Sequence, residues 1–312
     1  MSEKREKFDL GSLIKPVDLF ASTDPNQPEL LHNLSLLDLY PFKEHPFKAY
    51  SEEKMAEMVQ SVEKNGVFFP ILVRPNPYGN GYEIISGHNR VEASRRCKLS
   101  TIQAIVKDLD DDQATILMVD SNFQQREKLH PSEKAFGYKM KLEAMKRQAG
   151  RPEKNSGQIV LNLKGRQSRE ILADLEGVNY KQIQRYIRLT YLTHDLLDYV
   201  DGEQMAIGPA VHLSFLPAVE QNIVREVMER EQVFPSIQQA QRLKRLSTDG
   251  HLDWSAVNAI LTEAKPEQKI VNIRGDRFAK FFPKNLTPQE LEDNIYKILD
   301  HWYRNRNHNK DR

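Results

Sequence analysis

At residues 169–189 the chain reads REILADLEGVNYKQIQRYIRL, and Ala173, Gly177 and Ile183 within it stand at the spacing of a helix-turn-helix. Two helices that cross closely need a small side chain at the crossing. They also need a turn residue that accepts positive φ and a branched apolar group anchoring the second helix to the first. Ile171, Leu172, Leu175, Val178 and Ile187 supply the shared apolar core, and Asn179 stands where it caps the second helix. The outward face of that helix carries Asn179, Tyr180, Lys181, Gln184, Arg185 and Arg188, the candidate DNA-binding residues. Lys and Arg pair with phosphates or guanine edges and Gln pairs with adenine, so such a face offers both affinity and base readout. An ordinary helical hairpin with a solvated basic face fits the same letters and is the competing reading.

On either side of this motif the pattern changes character. From Asp110 onward the chain is helical, with Pro131 placed for the first turn of a long amphipathic helix through Arg147. AGRPEKNSGQ follows, rich in glycine, proline and charge, and reads as a linker or exposed loop. Helical patterns resume at Ser168 and run to about Ser247; a last piece carries a β-like KIVNIR and a helix from Pro288 to Tyr303. Toward the N-terminus the order is a helix from Ser51 to a stop at Gly66, strand-like FFPILVRP and YEIIS around a hairpin-type loop, helix-like HNRVEASRRC and strand-like TIQAIVKDL. That order predicts a small mixed α/β domain, and the expected fold class is α+β. The expected divisions are a mobile tail at 1–35, the mixed domain at 36–129, a helical DNA-binding domain at 130–248 with its helix-turn-helix at 168–192, and a short C-terminal α/β piece at 249–312.

Composition narrows the classes. The chain of 312 residues is long enough for two domains with sizeable cores. No stretch approaches a membrane-spanning helix and the start, MSEKREKFDLGS, lacks the apolar run of a signal peptide, so a cytoplasmic location is expected. Cys97 is the single cysteine and the nine histidines are scattered, which leaves no internal disulfide and no zinc-ligand spacing. With 45 Lys and Arg against 44 Asp and Glu, the formal net charge is +1, so any nucleic-acid surface must be a local basic patch.

ISGHNRVEA places Gly87 at a strand-to-helix junction, where the free N–H groups of a helix's first turn favour an anion, with His88 and Arg90 adding donors. A second polar cluster, Ser121, Asn122, Gln124, Gln125 and Arg126, precedes the helix at Pro131. Plain helix capping by His88 or Asn89 is the alternative.

Together these pieces resemble the ParB-type chromosome and plasmid partition proteins over residues 36–245. The resemblance rests on KAYSEEKMAEMVQSVEKNGVFFPILVRP, GYEIISGHNRVEASRRCKLSTIQAIVKDL, SNFQQREKLHPSEKAF, the helix-turn-helix and MAIGPAVHLSFL. It implies a ParB/sulfiredoxin-like nucleotide-binding domain, a helical domain that reads a centromere-like site, CTP as ligand, a homodimer closing as a DNA clamp, and a ParA-type ATPase partner. The family's Gly-Glu-Arg-Arg motif falls on Gly87, His88, Asn89 and Arg90, and its Glu-Asn-x-Gln-Arg motif near Ser121, Asn122, Gln125 and Arg126. These eight are the nucleotide-binding candidates. His88 and Asn89 replace the Glu and Arg linked to CTP hydrolysis, and Ser121 replaces a carboxylate near Mg²⁺, so the resemblance implies weakened hydrolysis and a weakened metal site. The first motif, Gln-Pro-Arg, appears as His45-Pro46-Phe47, with Lys48 as the nearest base. The departures resemble a plasmid or mobile-element branch, and the implied location is on the nucleoid or a plasmid.

Two other classes remain open. A mobile-element repressor would keep the DNA reader without a nucleotide switch. A ParB/sulfiredoxin-fold enzyme, such as a small-molecule kinase, would share the α/β domain, although Cys97 lies too far from the glycine turn for sulfiredoxin chemistry. At the ends, FDLGSLIKPVDLF is a candidate ATPase-engaging segment. Leu291, Ile295, Ile298 and Trp302 form a candidate dimerisation stripe, and Arg304, Arg306, Lys310 and Arg312 form a basic tail.

Overall fold

The computed structural model describes residues 31–149, 168–263, 287, 290, 293–299 and 301. The chain divides into two compact units, 1–263 and 264–312.

In the first unit the strands are β1 (Leu31–Ser35), β2 (Leu39–Tyr40), β3 (Ile71–Pro75), β4 (Tyr82–Ser86) and β5 (Thr101–Val106), with a single 3-10 turn at Leu36–Asp38. They form one sheet in the order β1-β5-β3-β4-β2. β1 and β5 are antiparallel, β5 and β3 parallel, β3 and β4 antiparallel, and β4 and β2 parallel. The helices of this part are α1 (Glu52–Asn65), α2 (His88–Arg96) and α3 (Asp111–Gln125). The central strands are apolar on both faces because both are covered. Ile71, Val73, Ile84, Ile102 and Ala104 face Val91 of α2, while Leu72, Ile85 and Ile105 face Ala114, Leu117 and Met118 of α3. α1 has the expected bounds: the Ser51 hydroxyl accepts from the amide of Lys54, and Gly66 follows the last turn with φ +72°. The Asn76–Gly81 loop closes the β3–β4 hairpin, and Arg74 and Glu83 meet across it as a buried ion pair at 2.6 Å.

The helical part comprises α4 (Pro131–Ala149), α5 (Ser168–Leu175), α6 (Tyr180–Leu189), α7 (His194–Asp201), α8 (Ile207–Leu213), α9 (Ala218–Glu231), α10 (Ile237–Thr248) and α11 (Trp254–Leu261). α4 lies beneath α5 and α6 through Tyr138, Leu142 and Met145, against Ile171, Leu172 and Ile183. A second core, including Leu196, Leu213, Val224 and Leu243, ties α7 through α11 together.

Two expected boundaries move. Residues 31–35, assigned to a mobile tail, are the sheet's edge strand. β1 is held by backbone pairing to β5, so its sequence LHNLS needs little apolar content. The helical domain does not stop at 248, because Val257, Ile260 and Leu261 of α11 are buried in the α7–α10 core. KIVNIR, the N-terminal candidate segment, the basic tail, Leu291 and Trp302 lie outside the described residues. In the second unit, residues 293–299 are helical, and Tyr296, Ile298 and Leu299 are exposed. Among the described residues no helix is long and apolar enough to cross a membrane.

Candidate nucleic-acid interface and anion pocket

α5 and α6 are consecutive helices joined by a tight turn in which Gly177 takes φ +63°. Ile183 is 1% exposed and Ala173 7%, so the residues expected to hold the pair together are inside it. The turn is also tied from below: Lys141 of α4 donates to Glu176 at 2.6 Å and to Asp120 of α3. Burial opposes the charge on Lys141, but its two carboxylate partners outweigh that and raise its pKa, while burial raises that of Asp120.

Lys181, Gln184 and Arg185 project from α6 into solvent, as expected for readers of a groove. Gln182 joins them; the sequence reading passed over it because it stands off the basic stripe. Three candidates do other work. The Asn179 side chain accepts from the Lys181 amide at 2.8 Å and caps α6. Tyr180 is half-buried with the Arg169 guanidinium 5.1 Å from its ring centroid. Arg188 is half-buried: its Nε donates to the Ser214 hydroxyl at 3.1 Å and its Nη2 to the Ser214 carbonyl at 2.7 Å, while its Cζ lies 3.8 Å from the Phe215 ring centroid. Arg188 therefore pins α6 to the end of α8 while staying half-exposed beside its reading face.

The nucleotide candidates converge on one hollow between α2, α3 and the loop before α1. Its lining comprises Gly87, His88, Asn89, Arg90, Asn122, Gln125 and Arg126, joined by His45, Tyr50, Met58 and Ser86. An outer hollow of about 610 Å³ shares Tyr50, Met58, Gln125 and Arg126 with it and adds Lys48, Lys54, Lys128 and Glu133. That volume is within the range of ligand sites. Ser121 is the exception. Fully buried, it donates its hydroxyl back to the Met118 carbonyl at 2.9 Å, so it packs inside α3 and does not face the hollow. Of the residues outside the predicted eight, His45 and Lys48 had a signal in the first motif, whereas Tyr50, Met58 and Ser86 carry none, since only the fold brings them close.

Gly87 has φ +106°, and an added Cβ would meet Ile71 Cγ2 at 2.7 Å, so glycine is required to turn β4 into α2. Arg90 donates to the carbonyls of Phe69 and Pro70, both at 2.7 Å, which fixes its guanidinium beside the hollow. Burial pushes its pKa down, as expected of a cation without a carboxylate partner. Arg126 donates to the Lys48 carbonyl at 2.9 Å and to Glu133 at 3.0 Å, and lies 5.5 Å and 5.6 Å from the ring centroids of Phe47 and Tyr50. The Asn89 carbonyl oxygen accepts from the Tyr50 amide at 3.3 Å. His88 Nε2 accepts the amide N–H of Phe42 at 3.2 Å, which leaves its proton on Nδ1. Burial pushes its pKa down to about 3, with the charges of His45 and Arg126 adding to the effect. His45 is held low by burial as well, and its Nδ1 bonds the Phe47 carbonyl at 3.1 Å while Nε2 is buried without a partner. The inner hollow thus holds two guanidinium groups, amide side chains, two neutral imidazoles and no carboxylate.

Residues 21–123 match the family model of the ParB N-terminal domain. Chromosome-partitioning protein Spo0J of Thermus thermophilus is 39% identical over 110 residues, covering 35% of this chain and 40% of that protein. Residues 21–123 therefore form a ParB N-terminal domain. ParB of Myxococcus xanthus is 28% identical over 200 residues, covering 64% of this chain and 60% of its own length. The chain thus spans less than two thirds of the length of either relative. Among solved structures, C-terminally truncated ParB from Caulobacter crescentus complexed to the centromeric parS site aligns with 69% of this chain and 98% of that one, at 21% identity and TM-score 0.41. Within the ParB N-terminal match lie Gly87, His88, Asn89, Arg90 and Asn122, while Gln125 and Arg126 fall just past its end.

Proposed function

We propose that this chain is a DNA-binding partition protein that reads a centromere-like duplex through α6 and takes a nucleoside triphosphate in the α2–α3 hollow, CTP being the nucleotide the family resemblance implies. One observation supports this above the others: Gly87, Asn89, Arg90, Asn122, Gln125 and Arg126, far apart in sequence, line a single carboxylate-free hollow at a helix N-terminus. The guanidinium groups of Arg90 and Arg126 suit phosphate oxygens. The unpartnered His45 Nε2 is an acceptor, so it suits a hydroxyl or amino group of the nucleoside rather than a phosphate.

The inner hollow fits hydrolysis and Mg²⁺ poorly. Asn122 and Gln125 offer only amide oxygens to a metal, and neutral His88 has its Nε2 engaged by Phe42, so a metal would rest mainly on the ligand's own phosphates. Binding without appreciable turnover is the expected behaviour. Clamp closure, homodimer formation and engagement of a ParA-type ATPase belong to the same proposal.

Calorimetry of the full chain with CTP, ATP and inorganic tripolyphosphate, against Arg126→Ala, tests the nucleotide site. CTP binding that the variant weakens at least tenfold supports it. Crosslinking of the mixed domains that responds to CTP and DNA together supports the clamp, and crosslinking indifferent to nucleotide removes it. A second reading, a DNA-binding repressor without a nucleotide switch, is favoured by Arg90, whose guanidinium already serves two carbonyls. No heat with any of the three ligands, alongside sequence-selective DNA binding, would establish that reading.

A further inference from the structure

Beside α6 the surface carries a row of alternating cations and aromatic rings drawn from four separate parts of the chain. Lys139 Nζ of α4 lies 5.4 Å from the Tyr191 ring centroid, and Arg188 Cζ lies 4.5 Å from the same ring. Arg188 is also 3.8 Å from the Phe215 centroid, and Lys244 Nζ of α10 is 3.4 Å from it. Tyr191 and Phe215 are 55% and 46% exposed. The two bonds from Arg188 to Ser214 fix the middle of the row.

Several cations elsewhere are paired with acids: Lys48 with Asp201, Arg96 with Glu52, Lys128 with Glu203, Arg225 with Glu229 and Arg242 with Glu263. Among the described residues no carboxylate lies within ion-pair distance of Lys139, Arg185, Arg188 or Lys244. A cation over a ring is held in place without losing its charge, whereas a carboxylate would neutralise it. The row is therefore preorganised and still positive. It also shares a field with the reading helix, since His212 feels both Lys244 and Arg185, although burial is the larger reason its pKa is lowered.

We infer that the row Lys139, Tyr191, Arg188, Phe215 and Lys244 is a second DNA contact surface that grips phosphates of the duplex beside the groove entered by α6. This rests on the proposed DNA reading. Phosphate contacts add affinity and fix register without reading sequence, which suits side chains held by rings and by Ser214 instead of free to search base edges. Arg188 uses two of its N–H donors on Ser214 and has others left for a phosphate oxygen.

The test is fluorescence anisotropy with the full chain and two duplexes, one recovered by the chain from a random library and one of unrelated sequence, titrated between about 50 and 200 mM salt. Lys244→Ala should weaken both duplexes by a similar factor, about 3- to 10-fold. It should also reduce the slope of log affinity against log salt by about 0.9, one phosphate contact's worth. Lys139→Ala should do the same and Lys244→Arg should retain the wild-type slope. Gln184→Ala should weaken only the recovered duplex. The inference is overturned if Lys244→Ala and Lys139→Ala keep the wild-type slope while Gln184→Ala costs selectivity, a result that leaves the α6 reading standing. If the wild-type chain binds neither duplex, the DNA reading fails first.

Discussion

The imidazoles of His45 and His88 lie 4.2 Å apart, centroid to centroid, and both line the inner hollow. Burial holds both rings neutral, and the charge of Arg126 beside them, with that of His45 on His88, acts in the same direction. The hollow's positive charge consequently resides on Arg90 and Arg126, and the rings serve as hydrogen-bonding walls.

That arrangement makes stability depend on pH. The folded His88 titrates near 3 and the unfolded one near 6.5, so as pH falls through that window the unfolded chain takes up the proton first. The contribution is intact above about pH 6.5 and is lost progressively below it, on the order of 1 kcal/mol per pH unit. His45, Arg126 and Glu133 share the neighbourhood, and His45 adds a loss of the same sign. Urea midpoints at pH 7 and pH 5 should drop more for wild type than for His88→Gln. Equal drops in the two proteins would mean that His88 is not held neutral.

Gly87→Ala should be costly, because Gly87 is the N-cap of α2 and takes a left-handed backbone. The residue sits at φ +106° and the new methyl would press on Ile71 in the middle strand, so a loss of about 1–3 kcal/mol is expected. Thermal melting checks the stability. Anion binding measured on the folded fraction should also weaken, because moving Gly87 re-aims the first amides of α2. A variant as stable as wild type would show that β4 and α2 tolerate a different junction.

Much of this architecture was legible in the letters because it rests on local rules. Ser51 and Gly66 bound α1, Asn179 caps α6, and Gly177 makes the turn between two apolar stripes. β1 was not legible, since an edge strand is stabilised by its partner's backbone and LHNLS shows little alternation. The anchoring of Arg188 was not legible for a related reason. Its place on the basic stripe of α6 is visible, but Ser214 and Phe215, which claim it, are brought near only by the packing of α8. Ser121 was assigned by motif position, yet the phase of α3 points it inward while Asn122 and Gln125 reach the hollow. The seven nucleotide candidates that line the hollow lie at junctions and helix ends, where chemistry and local geometry coincide.

Lys141 should be one of the least replaceable charged residues. Only 4% of its side chain is exposed, and it joins Asp120 of α3 to Glu176 in the turn before α6. Lys141→Met leaves two carboxylates facing each other in the interior, a loss of about 3–5 kcal/mol. Denaturant unfolding should show the loss at neutral pH, and acidification that protonates the carboxylates should recover part of it. Pairing Lys141→Met with Glu176→Gln should cost less than the single change. If the double variant is no better than Lys141→Met alone, the penalty is not carried by the charge on Glu176.

Lys48 is shared between two claims. Its Nζ lies 2.8 Å from Asp201 at the end of α7, and its stem lines the outer hollow where phosphates would enter. Burial disfavours the Asp201 carboxylate, but hydrogen bonds from Lys48 and Ser132 outweigh this and hold its pKa below the ordinary value. Asp201 therefore remains charged at neutral pH and competes with any anion for Lys48. Asp201→Asn keeps an oxygen that can accept from Ser132 but gives up the charge, so it should free Lys48 with only a modest loss of stability. Tripolyphosphate and CTP should bind this variant about 3- to 10-fold more tightly at low salt, with the gain shrinking as salt screens the field. Lys48→Ala in the same background should cancel the gain. Unchanged affinity in Asp201→Asn would mean that Lys48 does not reach the bound anion.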